Sequence, residues 1–261
     1  MIGIARLRDL GLDAMELEFV QRVSMGEKYA RLVRQISLEK HVRLSAHAPY
    51  YINLNSRDPE TIEASSARLL QAARATAWCG AHNVVFHAAY YHGDEPAVVH
   101  QRVKQYLLDL MGKLHAERLP VCLRPETAGR ASQFGSLEEV LRLCSEIRDV
   151  KPCIDIGHLH ARSGGMMNTY VDFTALLQQI QDYLGSSALQ ELHVHFQGME
   201  YSDKGERRHL PLRESDARVQ ELMQAFVDWN VSGTVICESP LLEEDALLLQ
   251  ETYSKLVRVK A

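Results

Sequence analysis

Paired cysteines are absent from this chain. Its five cysteines (Cys79, Cys122, Cys144, Cys153 and Cys237) form no Cys-x-x-Cys pair, which removes the usual signature of a cysteine-held metal knuckle or redox couple. Cys122, Cys153 and Cys237 fall in apolar strand-like runs and read as small core residues of a reducing compartment. No stretch reaches the roughly 18 apolar residues a membrane span needs. The first residues alternate charged and apolar instead of forming a hydrophobic leader. The expectation is a soluble, cytoplasmic protein without a membrane partner. A positive excess is missing too: the net charge of −5 argues against a general polyanion-binding surface. Nucleic acid is not thereby excluded, because a local basic patch and bound divalent cations can offset the carboxylates that hold them. No linker, repeat or low-complexity segment interrupts residues 1–261, so a single domain is expected. With 46% hydrophobic residues, a chain of this length fits one α/β barrel, burying roughly 70–75% of its surface without disulfides.

What is present is an alternation of strand and helix. Strands are expected at Ala14–Val20, Arg43–Pro49, Asn83–Ala89, Val121–Thr127, Lys151–Gly157, Glu191–Phe196 and Thr234–Pro240. Helical spacing runs from Asp58 to about Cys79, with Ile62, Leu69, Leu70, Ala73 and Ala77 as its apolar or small positions. Pro96 suits the first turn of the next helix, and Ser136 with Glu139 forms a capping box opening a helix through Leu143. Asp172–Leu184, Ser215–Trp229 and Glu243–Val257 complete the helices. Such alternation gives a parallel sheet with right-handed crossovers. Seven strands are visible where a closed (β/α)8 TIM barrel has eight, and the chain opens in an amphipathic stretch, Ile2 to Leu10. The fold expected is a TIM barrel lacking its first strand, whether through a late start codon or a truly incomplete barrel. The alternative is an open seven-stranded sheet.

Metal-ligating residue types recur at the ends of these strands. His47, His87, Glu126, Asp155, His193 and Glu238 lie near the C-terminal ends of their runs, the end at which a parallel barrel carries its active site. His158 has the opposite parity to Asp155, but Gly157 offers a turn from which it can swing over the barrel mouth from a loop. Any one strand histidine is more often a hydrogen-bonded core residue; a whole set at equivalent strand ends points to a polynuclear metal site. Mixed imidazole and carboxylate donors suit zinc, manganese or iron better than magnesium or calcium. His41, His82, His100 and His115 read as surface or packing residues. His92 and His160 stay open. His195, on the face of His193, either supports the ligands from behind or faces substrate.

The segments HAPYYINLNS, VVFHAA, PETAGRASQFGSLEEV, CIDIGHLHA and CESP resemble the endonuclease IV family of abasic-site endonucleases, within the xylose-isomerase-like TIM-barrel group. The likeness runs from about Ala14 to the C-terminus. It implies three zinc ions and cleavage of DNA 5′ to an abasic site. By resemblance His47 and His87 bind one metal and Glu126, the catalytic carboxylate, bridges it to a second. Asp155, His193 and Glu238 complete that second site, and His158 binds a third metal with an Asp-x-His pair from a later loop. There the sequence departs: in GERRHLPL, His209 is present but Arg207 stands where aspartate is expected, and the spacing from His193 is one residue longer. Either Glu206 substitutes through a shifted loop, or Arg207 supplies positive charge in place of the third metal. Two Zn2+ ions are expected, the third in question, with Mn2+ or Fe2+ as other occupants.

Tyr50 and Tyr51 fall where the family places residues that enter the duplex; the alternative is packing under the barrel rim. Arg130, Arg162, Lys204, Arg207 and Arg208 are candidates for phosphate contact. A different class of function remains open. Glu126, Asp155, His193 and Glu238 are also the four-ligand pattern of single-metal sugar isomerases and epimerases of the same group. His47 and His87 would be superfluous there, which favours the phosphodiesterase. A third reading is a barrel that binds metal or damaged DNA without turnover. A homodimer is a further expectation, because an absent strand would leave exposed sheet edges.

Overall fold

The computed structural model describes residues 2–260 and divides into two compact units. The first comprises the chain through Glu126 together with Ser132–Pro152. Its elements are α1 (Ile2–Asp9), β1 (Ala14–Glu18), α2 (Glu27–Lys40), β2 (Arg43–His47), α3 (Pro59–Trp78), β3 (Asn83–Phe86), β4 (Ala89–Tyr90), α4 (Pro96–Ala116), β5 (Cys122–Pro125), β6 (Gln133–Phe134) and α5 (Leu137–Glu146). Four of the strands form one parallel sheet in the order β1-β2-β3-β5. The short strands β4 and β6 pair antiparallel.

Local chemistry explains these boundaries. Asp58 caps α3 by accepting from the backbone N–H groups of Glu60 and Thr61, with Pro59 in the first turn. The capping box at α5 is complete, Ser136 and Glu139 each satisfying the other's backbone donor. Helix α2 is not evident from the sequence, since its apolar stripe is narrow: only Ala30, Val33 and Ser37 are buried. It packs with Ile4, Val42 and Cys79 and ends at His41, which takes a left-handed conformation (φ 54°).

The second unit comprises Thr127–Ala131 and the chain from Cys153 onward. It contains β7 (Cys153–Asp155), α6 (Ile156–Arg162), α7 (Tyr170–Leu184), β8 (Leu192–Phe196), β9 (Gly198–Ser202), β10 (Gly205–Leu210), α8 (Val219–Asp228), β11 (Gly233–Cys237) and α9 (Glu243–Lys260). A parallel sheet runs in the order β11-β8-β7, and β9 with β10 makes an antiparallel hairpin. All five residues of β8 are buried, as in a strand covered on both faces.

Each of the seven expected strands is present, shorter than expected by two or three residues at most C-terminal ends. Two corrections concern the second unit. His158 sits in the first turn of α6, not in a loop: the Asp155 side chain caps that helix by accepting from the His158 N–H. Likewise the segment expected as a loop carrying Lys204, Arg207 and Arg208 is the β9–β10 hairpin. Among the described residues no helix is long and apolar enough to cross a membrane.

Candidate metal centre

In the first unit, the last residue of β2 and the residues just after β3 and β5 are His47, His87 and Glu126. One ligand atom from each lies within 4.8 Å of the others. Glu126 Oε2 is 3.1 Å from His47 Nε2 and 3.3 Å from His87 Nε2. His47 Nδ1 donates to the Ala48 carbonyl at 2.7 Å. Because a carbonyl only accepts, that bond keeps Nε2 aimed at Glu126. Burial alone would lower the His47 pKa, but the hydrogen bond and charge of Glu126, aided by Glu18 and Glu16, raise it to about 9. A buried proton held between imidazole and carboxylate marks a place where positive charge is favourable. The donor set of two imidazoles and one carboxylate fits a zinc, manganese or iron ion.

In the second unit, Asp155, His195 and Glu238 bring ligand atoms within 4.8 Å of one another, with His195 Nδ1 3.3 Å from Glu238 Oε1. From the sequence His193 is expected in this role and His195 toward substrate; the register instead brings His195 beside Asp155. Asp155 pairs with His195, and His193 pairs with Cys153 one step back. Residues two apart on a strand are separated by roughly 6.6–6.8 Å, so His193 lies nearer the N-terminal end of β8. Gln197, just past the end of β8, belongs to no motif that would single it out in the sequence. Its Nε2 donates to both oxygens of Asp155, at 3.2 and 3.0 Å. Gly157 leaves room for it, since a Cβ there would stand 2.8 Å from Gln197 Nε2.

A third group joins His158, Glu206 and His209 within the same 4.8 Å limit. His158 Nδ1 donates to the Thr127 carbonyl at 3.0 Å, and His209 Nδ1 to the Glu238 carbonyl at 3.0 Å. Each therefore keeps Nε2 for a cation. The hairpin register explains how Glu206 comes to lie beside His158 and His209. Glu206 pairs with Tyr201 and Arg208 with Glu200, leaving Arg207 as the extra residue of a bulge. A bulge shifts side-chain alternation by one, so a Glu-x-x-His spacing here reaches what Asp-x-His would reach in a regular strand. Arg207 points elsewhere, pairing with Glu200 at 2.9 Å, and does not stand in for the third cation. Gly129 makes this approach feasible, for a Cβ on it would lie 2.6 Å from Glu206 Cβ.

The remaining candidates separate clearly. Tyr50 and Tyr51 are 49% and 62% exposed, so neither packs under a rim. The Tyr50 ring lies 5.2 Å from His47 and its hydroxyl donates to Glu18 at 3.3 Å. Both tyrosines, with Asn53, Arg68 and Tyr90, line an open cleft of about 860 Å³ in the first unit. Arg130, Lys204, Arg207 and Arg208 are exposed. Arg162 instead donates to the carbonyls of Ala128 and Arg130, a structural use. His160 spans the Met167 carbonyl and Asp216, and His92 accepts from the Asn53 amide.

The family model described as "Xylose isomerase-like TIM barrel" matches residues 4–253. An uncharacterized protein of Methanocaldococcus jannaschii is 44% identical over 250 residues, 96% of this chain and 90% of that protein. A "Probable endonuclease 4" of Streptomyces avermitilis is 28% identical over 181 residues, 67% of this chain and 55% of that protein. The crystal structure of endonuclease IV from Thermus thermophilus superimposes with a TM-score of 0.75 at 19% identity, covering 98% of this chain and 93% of that one. Sugar epimerases are also among the solved structures of this fold.

Proposed function

Since the chain belongs to the xylose isomerase-like TIM-barrel family, whose members include endonucleases and sugar epimerases, we propose that it is a metal-dependent phosphodiester hydrolase that cleaves DNA 5′ to abasic sites. The observation that carries this reading is the pair His47 and His87, both within 3.3 Å of Glu126. A single-metal epimerase has no use for two further imidazoles beside its carboxylate; a multinuclear phosphoesterase does. The sequence likeness to a probable endonuclease 4 supports the same choice.

In this proposal His47, His87 and Glu126 would hold one cation, and Asp155, His195 and Glu238 a second. His158, Glu206 and His209 take a third. When bound, such cations would supply Lewis acidity and neutralise charge building on the phosphate oxygens. The chain's own groups do the rest. Backbone carbonyls fix the tautomers of His47, His158 and His209. Gln197 and the His158 N–H orient Asp155. Tyr50 and Tyr51 present ring surface on which bases can stack, and Lys204, Arg207 and Arg208 offer charge to the backbone phosphates.

The test is incision of a duplex oligonucleotide carrying one abasic analogue, with zinc, manganese or iron supplied. Cleavage 5′ to the lesion, lost in Glu126→Gln, is the expected result. Intact DNA despite full metal loading, with interconversion of ketose epimers, would replace this reading with the sugar epimerase.

A further inference from the structure

A second cluster of ligating side chains shares only one residue with the three sets above. The register pairs Cys153 with His193 and Asp155 with His195. Strand alternation sends residues 153 and 155 of β7 to one face, and residues 193 and 195 of β8 likewise. The sheet thus carries two tiers of donors. The outer tier is Asp155 and His195, completed by Glu238; the inner tier is Cys153 and His193. One donor atom from each of Cys153, His193 and His195 lies within 4.8 Å of the other two, and none of the three is more than 1% exposed. The two imidazoles meet edge to face with ring centroids 5.5 Å apart.

The geometry points to a separate, softer cation position formed by Cys153 Sγ with one nitrogen each of His193 and His195. A thiolate with two imidazoles selects zinc, cadmium or Cu(I) over manganese, magnesium or calcium. As the sulfur–metal bond forms, the thiol releases its proton to solvent and nothing is oxidised. A neutral imidazole has one lone pair to offer, so His195 serves one tier at a time. A thiophilic ion in the inner tier takes His195 away from Asp155 and Glu238. A harder ion such as manganese leaves it with the carboxylates. The two tiers therefore act as a metal selector in which excess thiophilic metal displaces manganese from the outer tier. This inference stands independently of the substrate.

Titration of the full-length, metal-free protein with cadmium, followed through the near-ultraviolet cadmium–thiolate absorption, tests it. A saturable band is expected, lost in Cys153→Ser and retained in Cys122→Ser and Cys237→Ser. It is also lost in His193→Gln, in which every thiol is intact. In manganese-loaded wild type, cadmium should release manganese seen by electron paramagnetic resonance, and should release less from Cys153→Ser. Circular dichroism checks the fold of each variant, and Cys153→Ala replaces Cys153→Ser if the serine unfolds the strand. No band in the wild type, or a band that survives in the folded Cys153 and His193 variants, overturns the proposal. Incision of abasic DNA by manganese-loaded Cys153→Ser is read separately, so failure of the hydrolase reading is distinguishable from failure of this one.

Discussion

Asp155 illustrates how single side chains prepare the candidate centre. Its two oxygens accept from Gln197, and one also accepts from the His158 N–H at 2.6 Å. Donors placed behind a ligating carboxylate hold its orientation, and their loss typically costs 10–100-fold in metal affinity. Gln197→Leu should therefore weaken metal binding by roughly 10–100-fold in a chelator competition while the circular dichroism spectrum is unchanged; unaltered affinity would remove Gln197 from this role. A second residue-scale prediction concerns acid stability. The hydrogen bond from His100, then those from Arg142 and Lys104, lower Glu146 from 4.5 to about 2, against the opposing effect of burial. A carboxylate whose pKa falls on folding stabilises the protein above its unfolded value and loses that contribution on acidification. Stability contributed by Glu146 is thus complete above about pH 4.5 and disappears as pH falls toward 2. In urea unfolding measured across this window, Glu146→Gln should show a shallower loss than the wild type.

At the scale of elements, caps and bulges decide where ligands arrive. Asp58→Ala should lower the unfolding midpoint in equilibrium unfolding, because two N-terminal donors of α3 lose their acceptor. Gly129→Ala should reduce occupancy of the third cation group without unfolding the chain, since the new methyl would press on Glu206; metal analysis of the purified variant reads this. These same elements mark what the sequence discloses and what it hides. The strand ends carrying His47, His87, Glu126, Asp155 and Glu238 are legible because short, largely apolar runs stop at those residues. The exchange of His193 for His195 is hidden, because both share a face and only the register with β7 distinguishes them. Arg207 looks like a replacement for a ligand since nothing in the sequence reveals a bulge. Helix α6 is masked because its cap is Asp155, a residue that already reads as a ligand.

At the scale of the whole chain, the family and the seven parallel strands agree with the resemblance, while the choice between DNA and sugar rests on how many cations the centre holds. A sugar epimerase of this fold would need one; among the described residues, donor groups gather around Glu126 with His47 and His87, around Asp155, and around His158. Counting metal ions per chain, by native mass spectrometry after reconstitution with manganese, addresses that choice most directly, because manganese disfavours the inner cysteine tier. The account predicts at least two ions per chain, falling in His47→Ala and His87→Ala variants that keep their fold. A stoichiometry of one, unchanged by loss of either histidine, would contradict it.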